Sequence, residues 1–232
     1  MDIAAVGALV ADPARCRILL ALTGGRELPA GRLAEEAGVS AATASGHLAK
    51  LTAARMLTVE ARGRHRWYRL AGPAVGNLIE ALEQLAPVST VTSLRQANRA
   101  KALREARTCY DHLSGRLGVA LLDSLLDEGH LAARSGSDPG DVDYSVTESG
   151  ARFLTGFGLP DRFPAVEYCV DWSEHRHHLG GRLGRALLDR LLELDWLRRT
   201  EIGRAVAVTA PGADGLAATF GIPVPTTTGA VR

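Results

Sequence analysis

An internal duplication constrains this chain more than any other feature. Residues 112–131 read HLSGRLGVALLDSLLDEGHL, and residues 178–197 read HLGGRLGRALLDRLLELDWL. Thirteen of the 20 positions are identical at an offset of 66. Upstream, Cys109-Tyr110-Asp111 returns as Cys169-Val170-Asp171 with six extra residues in the second copy. The position of that insertion stays open, because Trp172 also aligns with His112. Downstream, Tyr144–Gly150 returns as Val206–Gly212, and each copy then reaches Phe-Gly-(Leu/Ile)-Pro. Each copy reads as a motif segment, a helix, a hairpin ending in Val-Thr and a short helix, with Gly136–Gly140 (GSDPG) as the first hairpin loop. Two such units, about 109–160 and 169–223, cannot each bury a core alone. They are expected to pack together with pseudo-twofold symmetry.

The N-terminal third follows a different pattern. DPARCRILLALT, from Asp12 to Thr23, starts on Asp-Pro and spaces its apolar residues helically. Pro29–Ala37 forms a second short helix closed by Gly38, and Ser40 caps a third running from Ala41 to about Ala54. A helix, a glycine turn and a capped helix spell helix-turn-helix. Met56–Glu60 and Arg66–Leu70 then alternate around Arg62-Gly63-Arg64 as a β-hairpin, a wing. A helix over Ala74–Ala86 follows, Pro87 breaks the chain, and Thr92–Thr108 reads as a polar connector helix. The predicted fold is α+β and mainly α: a winged helix-turn-helix domain at 1–87, a connector at 88–108, and an effector domain of two pseudo-symmetric helix–hairpin repeats at 109–232.

Net charge is only +1, yet Thr43–Leu70 carries Lys50, Arg55, Arg62, Arg64, Arg66 and Arg69 against Glu60. A local excess of that kind suits a phosphate-binding face. The N-terminal end of a recognition helix faces base edges, so Thr43, Ser45 and His47 are the candidate readers, with Lys50 a turn further. Arg62, Arg64 and Arg66 reach phosphate or the minor groove from the wing. Cys16, Cys109 and Cys169 are too few for a disulfide framework, which points to a reducing compartment. No leader is expected before Asp2 and Asp12, and no apolar run approaches the ~20 residues of a membrane span. The expected location is the cytoplasm.

ADPARCRILLAL, LAEEAGVSAATASGHLAKL and the basic wing, in that order, resemble the ArsR-type winged-helix repressors over about residues 8–86. Chains similar to this one with a duplicated C-terminal half carry Cys-Tyr-Asp-His-Leu, here Cys109–Leu113, and Cys-x-Asp-Trp-Ser-Glu, here Cys169–Glu174. Their second motif often continues Arg-Arg-Pro-His, of which Arg176 and His178 are present. The resemblance implies a homodimer, operator DNA as partner, and a metal ion or small molecule as effector. It also exposes departures. The family's usual thiolate positions fall on Leu28–Leu33, which has no cysteine, and Ala74–Ala86 lacks the Asp and His of the other family metal site. Gly46 stands where many relatives have Arg.

Sensing therefore falls to the duplicated half. Cys109 and His112 are three apart, and Asp171, His175 and His178 follow i, i+4, i+7, so helices there would gather each set on one face. If the copies pack symmetrically, Cys109, His112, Cys169 and His178 form a Cys₂His₂ site for zinc or copper(I). Tyr110, Asp111, Asp171, Trp172 and Arg176 are the candidate residues for an organic effector. Three other readings stay open: packed core cysteines, a thiol redox switch, and a cysteine-dependent enzyme with His112 or His178 as base. The enzyme reading lacks a nucleophile elbow, a phosphate loop and a visible oxyanion donor, so no catalytic residue is assigned.

Overall fold

Two units, Met1–Leu85 and Ala86–Arg232, divide the chain. The computed structural model describes residues 3–86, 93–135, 142–160, 162–163, 165–200 and 202–225. The expected break at Pro87 and the GSDPG loop at 136–140 lie outside the described residues. Among the described residues, no helix is long and apolar enough to cross a membrane.

The N-terminal unit is a winged helix-turn-helix. Helix α1 (Ile3–Val10) precedes α2 (Pro13–Ala21), which Asp12 caps by accepting from Ala14 N and Arg15 N. Strand β1 (Leu28–Pro29) leads into α3 (Ala30–Ala37), and Gly38 ends that helix in the left-handed conformation at φ 69°. Ser40 Oγ accepts from Thr43 N at 3.2 Å to start α4 (Ala41–Ala53). The wing is β2 (Leu57–Arg62) against β3 (His65–Leu70), with Val59 opposite Tyr68, and β1 adds a third strand on β3. Helix α5 (Pro73–Leu85) closes the unit. Ile18, Leu19, Leu33, Leu48 and Leu51 fill its core. The sequence reading missed α1 and β1: one lacks a cap motif, and the other is two residues long.

The C-terminal unit opens with α6 (Leu94–Glu105) and β4 (Arg107–Thr108). The connector helix read from Thr92 to Thr108 thus stops early, because Arg107 and Thr108 pair with Ser114 and Leu113. The element order then repeats. The first copy holds β5 (Leu113–Ser114), α7 (Gly115–Asp127), β6 (Leu131–Ser135), β7 (Val142–Val146) and α8 (Glu148–Gly156). Strand β8 (Tyr168–Val170) stands to the second copy as β4 does to the first. After it come β9 (His177–Leu179), α9 (Gly181–Glu193), β10 (Leu197–Arg199), β11 (Val206–Val208) and α10 (Ala210–Phe220).

Thr147 and Thr209, the last residues of the two Val-Thr echoes, cap α8 and α10 by accepting from Gly150 N and Gly212 N. One apolar core takes Leu122, Leu125 and Leu154 from the first copy and Leu183, Leu188 and Leu216 from the second. Both copies thus bury their apolar faces in one shared core.

Candidate functional site

The two Cys/His motifs are β-hairpins, and the expectation that they are helices is corrected. In the first, Cys109 N donates to His112 O at 2.8 Å and closes a tight turn over Tyr110 and Asp111. In the second, Cys169 lies directly opposite His178 across β8 and β9. The six extra residues of that copy lengthen the hairpin between its Cys and His, which settles the insertion. Residues opposite one another in an antiparallel pair send side chains to the same face. Each copy therefore presents one thiol and one imidazole together, at any hairpin length.

Glycines bring the two pairs into one place. A Cβ on Gly118 of α7 would lie 2.7 Å from Leu113 O and 3.6 Å from His178 Cβ. A Cβ on Gly184 of α9, the position equivalent to Gly118, would fall on Leu179 O and 3.1 Å from His112 Cβ. The carbonyl of the same copy, Leu113 O or Leu179 O, is what requires glycine at each position, and the histidine of the other copy packs beside it. The ligand atoms of Cys109, His112, Cys169 and His178 all lie within 4.8 Å of one another. Cys109, His112 and His178 are buried, and Cys169 is half-buried.

Each imidazole has its Nδ1 toward a carboxylate, bonded in His112 and at longer range in His178. His112 Nδ1 meets Asp111 Oδ1 at 3.2 Å, leaving Nε2 buried without a hydrogen bond. His178 Nδ1 stands 3.7 Å from Asp171 Oδ2, and neither of its nitrogens makes a hydrogen bond. Burial pushes His112 toward the neutral form, but the Asp111 carboxylate and Cys109 as thiolate outweigh it and raise the group to about 9. Burial and the neighbouring His112 lower His178 to about 3. Buried polar atoms are nearly always paired, so three imidazole nitrogens without a hydrogen bond, one on His112 and two on His178, beside two thiols fit a metal ion better than dry packing. A carboxylate on the outer nitrogen of each ligating histidine is the usual supporting arrangement at such centres.

Of the residues read as an organic-ligand set, Asp111, Asp171, Trp172 and Arg176 are engaged by other side chains. Asp171 is fully buried. Its Oδ1 accepts from Ser173 N and Glu174 N, and its Oδ2 accepts from Arg107 Nη2 at 2.9 Å and Gly115 N at 2.6 Å. It thus caps α7 of the other copy, and those donors hold its carboxyl below the usual range against the opposing effect of burial. The Trp172 ring lies under the Arg107 guanidinium, 4.4 Å away. Arg176 pairs with Asp123 at 2.6 Å on the surface. Tyr110 and Asp111 form the first hairpin turn, and Asp111 also faces Arg185 at 3.7 Å. Arg107, Gly118 and Gly184 escaped the sequence reading, although equivalent glycines in both copies of the repeat were a usable signal.

In the N-terminal unit, Thr43, Ser45 and Lys50 are exposed on α4. His47 was expected to face outward, but it turns toward Asp12, with Nδ1 3.9 Å from Oδ1 and a side chain only 15% exposed. Arg62 is bound by Glu60 and by Glu27, each at 2.7 Å. Counting Glu60 as the wing's sole acid overlooked Glu27, which β1 brings beside the wing. Arg64 and Arg66 are exposed at the wing tip.

Residues 10–60 match the helix-turn-helix domain family. YdfF, an uncharacterized HTH-type transcriptional regulator of Bacillus subtilis (strain 168), is 42% identical over 217 residues, or 91% of this chain and 93% of that protein. The HTH-type transcriptional regulator CmtR of Mycobacterium tuberculosis (strain H37Rv) is 37% identical over 84 residues, covering 34% of this chain and 70% of CmtR. Among solved structures, the homodimeric winged helix-turn-helix domain of Mb0332 from Mycobacterium bovis, a possible ArsR-family regulator, is 31% identical. It covers 36% of this chain and 75% of that one, with a TM-score of 0.32.

Proposed function

The chain belongs to the HTH-type transcriptional regulators, with a DNA-binding domain of ArsR-like winged form, and from this premise we propose that a zinc ion held by Cys109, His112, Cys169 and His178 controls its affinity for DNA. One observation carries the reading: two thiols and two unpaired imidazole nitrogens converge within 4.8 Å in a largely buried place. Four N/S donors make a closed tetrahedral set, the geometry of zinc. Copper(I) also suits thiolates, and the closed four-donor N/S set is the one zinc takes. The comparisons put the chain among regulators, which removes the cysteine-enzyme reading.

The test is a titration of DNA affinity with zinc, using a duplex selected from random sequence by the wild-type protein. Typical coupling free energies predict a change of about 5- to 150-fold on zinc addition, reversed by chelator. An affinity indifferent to zinc contradicts the proposal. A thiol redox switch rests on the same closeness of the Cys109 and Cys169 sulfurs. It requires two electrons and two protons to leave for a peroxide, and it predicts a response to peroxide in zinc-free protein.

The same reading assigns DNA contacts to Thr43, Ser45 and Lys50 on α4 and to Arg64 and Arg66 on the wing. It assigns a homodimer to the apolar side of α5, where Ile79 is buried but Leu82 is 40% and Leu85 84% exposed. Covering such a face with a second copy gives a twofold partner for two DNA half-sites. Sedimentation equilibrium is expected to return a dimer at micromolar concentration and a monomer for the Leu82→Glu, Leu85→Glu variant. A monomeric wild type refutes that assignment. Work on chromosomal DNA puts the protein in the cytoplasm, where both thiols stay reduced.

A further inference from the structure

Asp171 Oδ2 carries a full load of donors. It accepts from Gly115 N at 2.6 Å and from Arg107 Nη2 at 2.9 Å. The other oxygen, Oδ1, accepts from Ser173 N, Ser173 Oγ and Glu174 N, so five donors already crowd one carboxylate. His178 Nδ1 waits 3.7 Å away. Beyond the carboxylate, Arg107 is wholly buried, and its Nη1 donates to Leu103 O and to Ser173 Oγ, each at 3.1 Å. The Trp172 ring lies against the guanidinium, 4.4 Å from its central carbon. Leu103 lies in the last turn of α6, where carbonyls have no following turn to serve. Arg107 therefore holds both the carboxylate next to a candidate metal ligand and the end of the helix that, in chain order, leads back to the DNA-binding domain.

We propose that Arg107 is a positioning residue that couples occupancy of the Cys109, His112, Cys169 and His178 site to α6 through Asp171. The inference rests on the zinc-binding reading above and names how that site regulates. With an ion held on His178 Nε2, the ring proton would sit on Nδ1, 3.7 Å from Asp171 Oδ2, as a further donor toward the carboxylate. That proton competes with the five donors already on Asp171. The Gly115 N–H is fixed at the start of α7, so the guanidinium is the partner free to shift. Any shift changes its hold on Leu103 O. The network thus has two arrangements, which occupancy of the site biases.

The experiment compares full-length wild type, Arg107→Lys and Trp172→Leu. Cobalt(II) titration reads the site through its thiolate charge-transfer band, and DNA affinity is measured with zinc and with chelator on the selected duplex. Lysine keeps a cation beside Asp171 but cannot hold Asp171 and Leu103 O together, as the guanidinium fork does. Both variants are expected to keep the wild-type cobalt band and stoichiometry. The ratio of DNA affinities with and without zinc is expected to fall to within about twofold of unity in Arg107→Lys, from the 5- to 150-fold range usual for coupled sites. In Trp172→Leu, which leaves the ion pair in place, it falls part of the way.

A wild-type ratio in both variants overturns the proposal. Loss of the cobalt band in both also overturns it, since Arg107 then only supports the site. A wild type without cobalt band or zinc response defeats the zinc reading itself and this inference with it, and the wild-type arm alone reveals that outcome.

Discussion

Serine at either Cys109 or Cys169 is expected to lower zinc affinity by roughly a hundredfold or more, measured by competition with a chromophoric chelator. Changes to mere supporting residues around a metal typically cost about 10–100-fold, and here a ligand itself is lost. A serine hydroxyl stays protonated at neutral pH and cannot replace a thiolate. Both substitutions should act alike, because each copy contributes one thiol to the same small volume. Cys16→Ser should change nothing, since that residue belongs to the N-terminal unit, in α2. Zinc affinity of the wild type should also fall as pH falls, because thiolate and neutral imidazole are the binding forms. Wild-type zinc affinity in both Cys109→Ser and Cys169→Ser would mean the cysteines are core packing.

Removing both wing-tip cations, Arg64→Ala with Arg66→Ala, should weaken binding to every duplex alike. Each phosphate contact contributes about 0.9 to the slope of log affinity against log salt, so the double variant should flatten that slope by about two. Thr43→Ala or Ser45→Ala should instead lower discrimination between the selected duplex and random DNA, by about 1–3 kcal/mol per lost base contact. Arg62→Ala should have the smaller effect on the slope, because Glu27 and Glu60 already engage that guanidinium. Anisotropy titrations at several salt concentrations separate these cases. A double wing variant with the wild-type slope means the DNA face lies elsewhere.

The sequence revealed different parts of this molecule for different physical reasons. Asp12, Gly38 and Ser40 act locally, through hydrogen bonds to the next few residues or a left-handed backbone, so the helix-turn-helix was legible without tertiary information. The convergence of Cys109, His112, Cys169 and His178 was legible because duplication forces equivalent motifs into equivalent surroundings. The route to it was wrong: i, i+3 spacing suggested helices, whereas period and length cannot separate a helix turn from a tight hairpin over so few residues. His47 sits at a helical position that reads as outward, yet its side chain is only 15% exposed and lies beside Asp12. Glu27 and Arg107 act across long sequence separations, on Arg62 and Asp171, and no local pattern announces such partners.

The most direct measurement of the central claim is the metal content of full-length protein purified without chelator, by elemental analysis. The account predicts one zinc per chain in the wild type and close to none in the Cys109→Ser, Cys169→Ser double variant. A folded wild type that stays metal-free after exposure to zinc would contradict it.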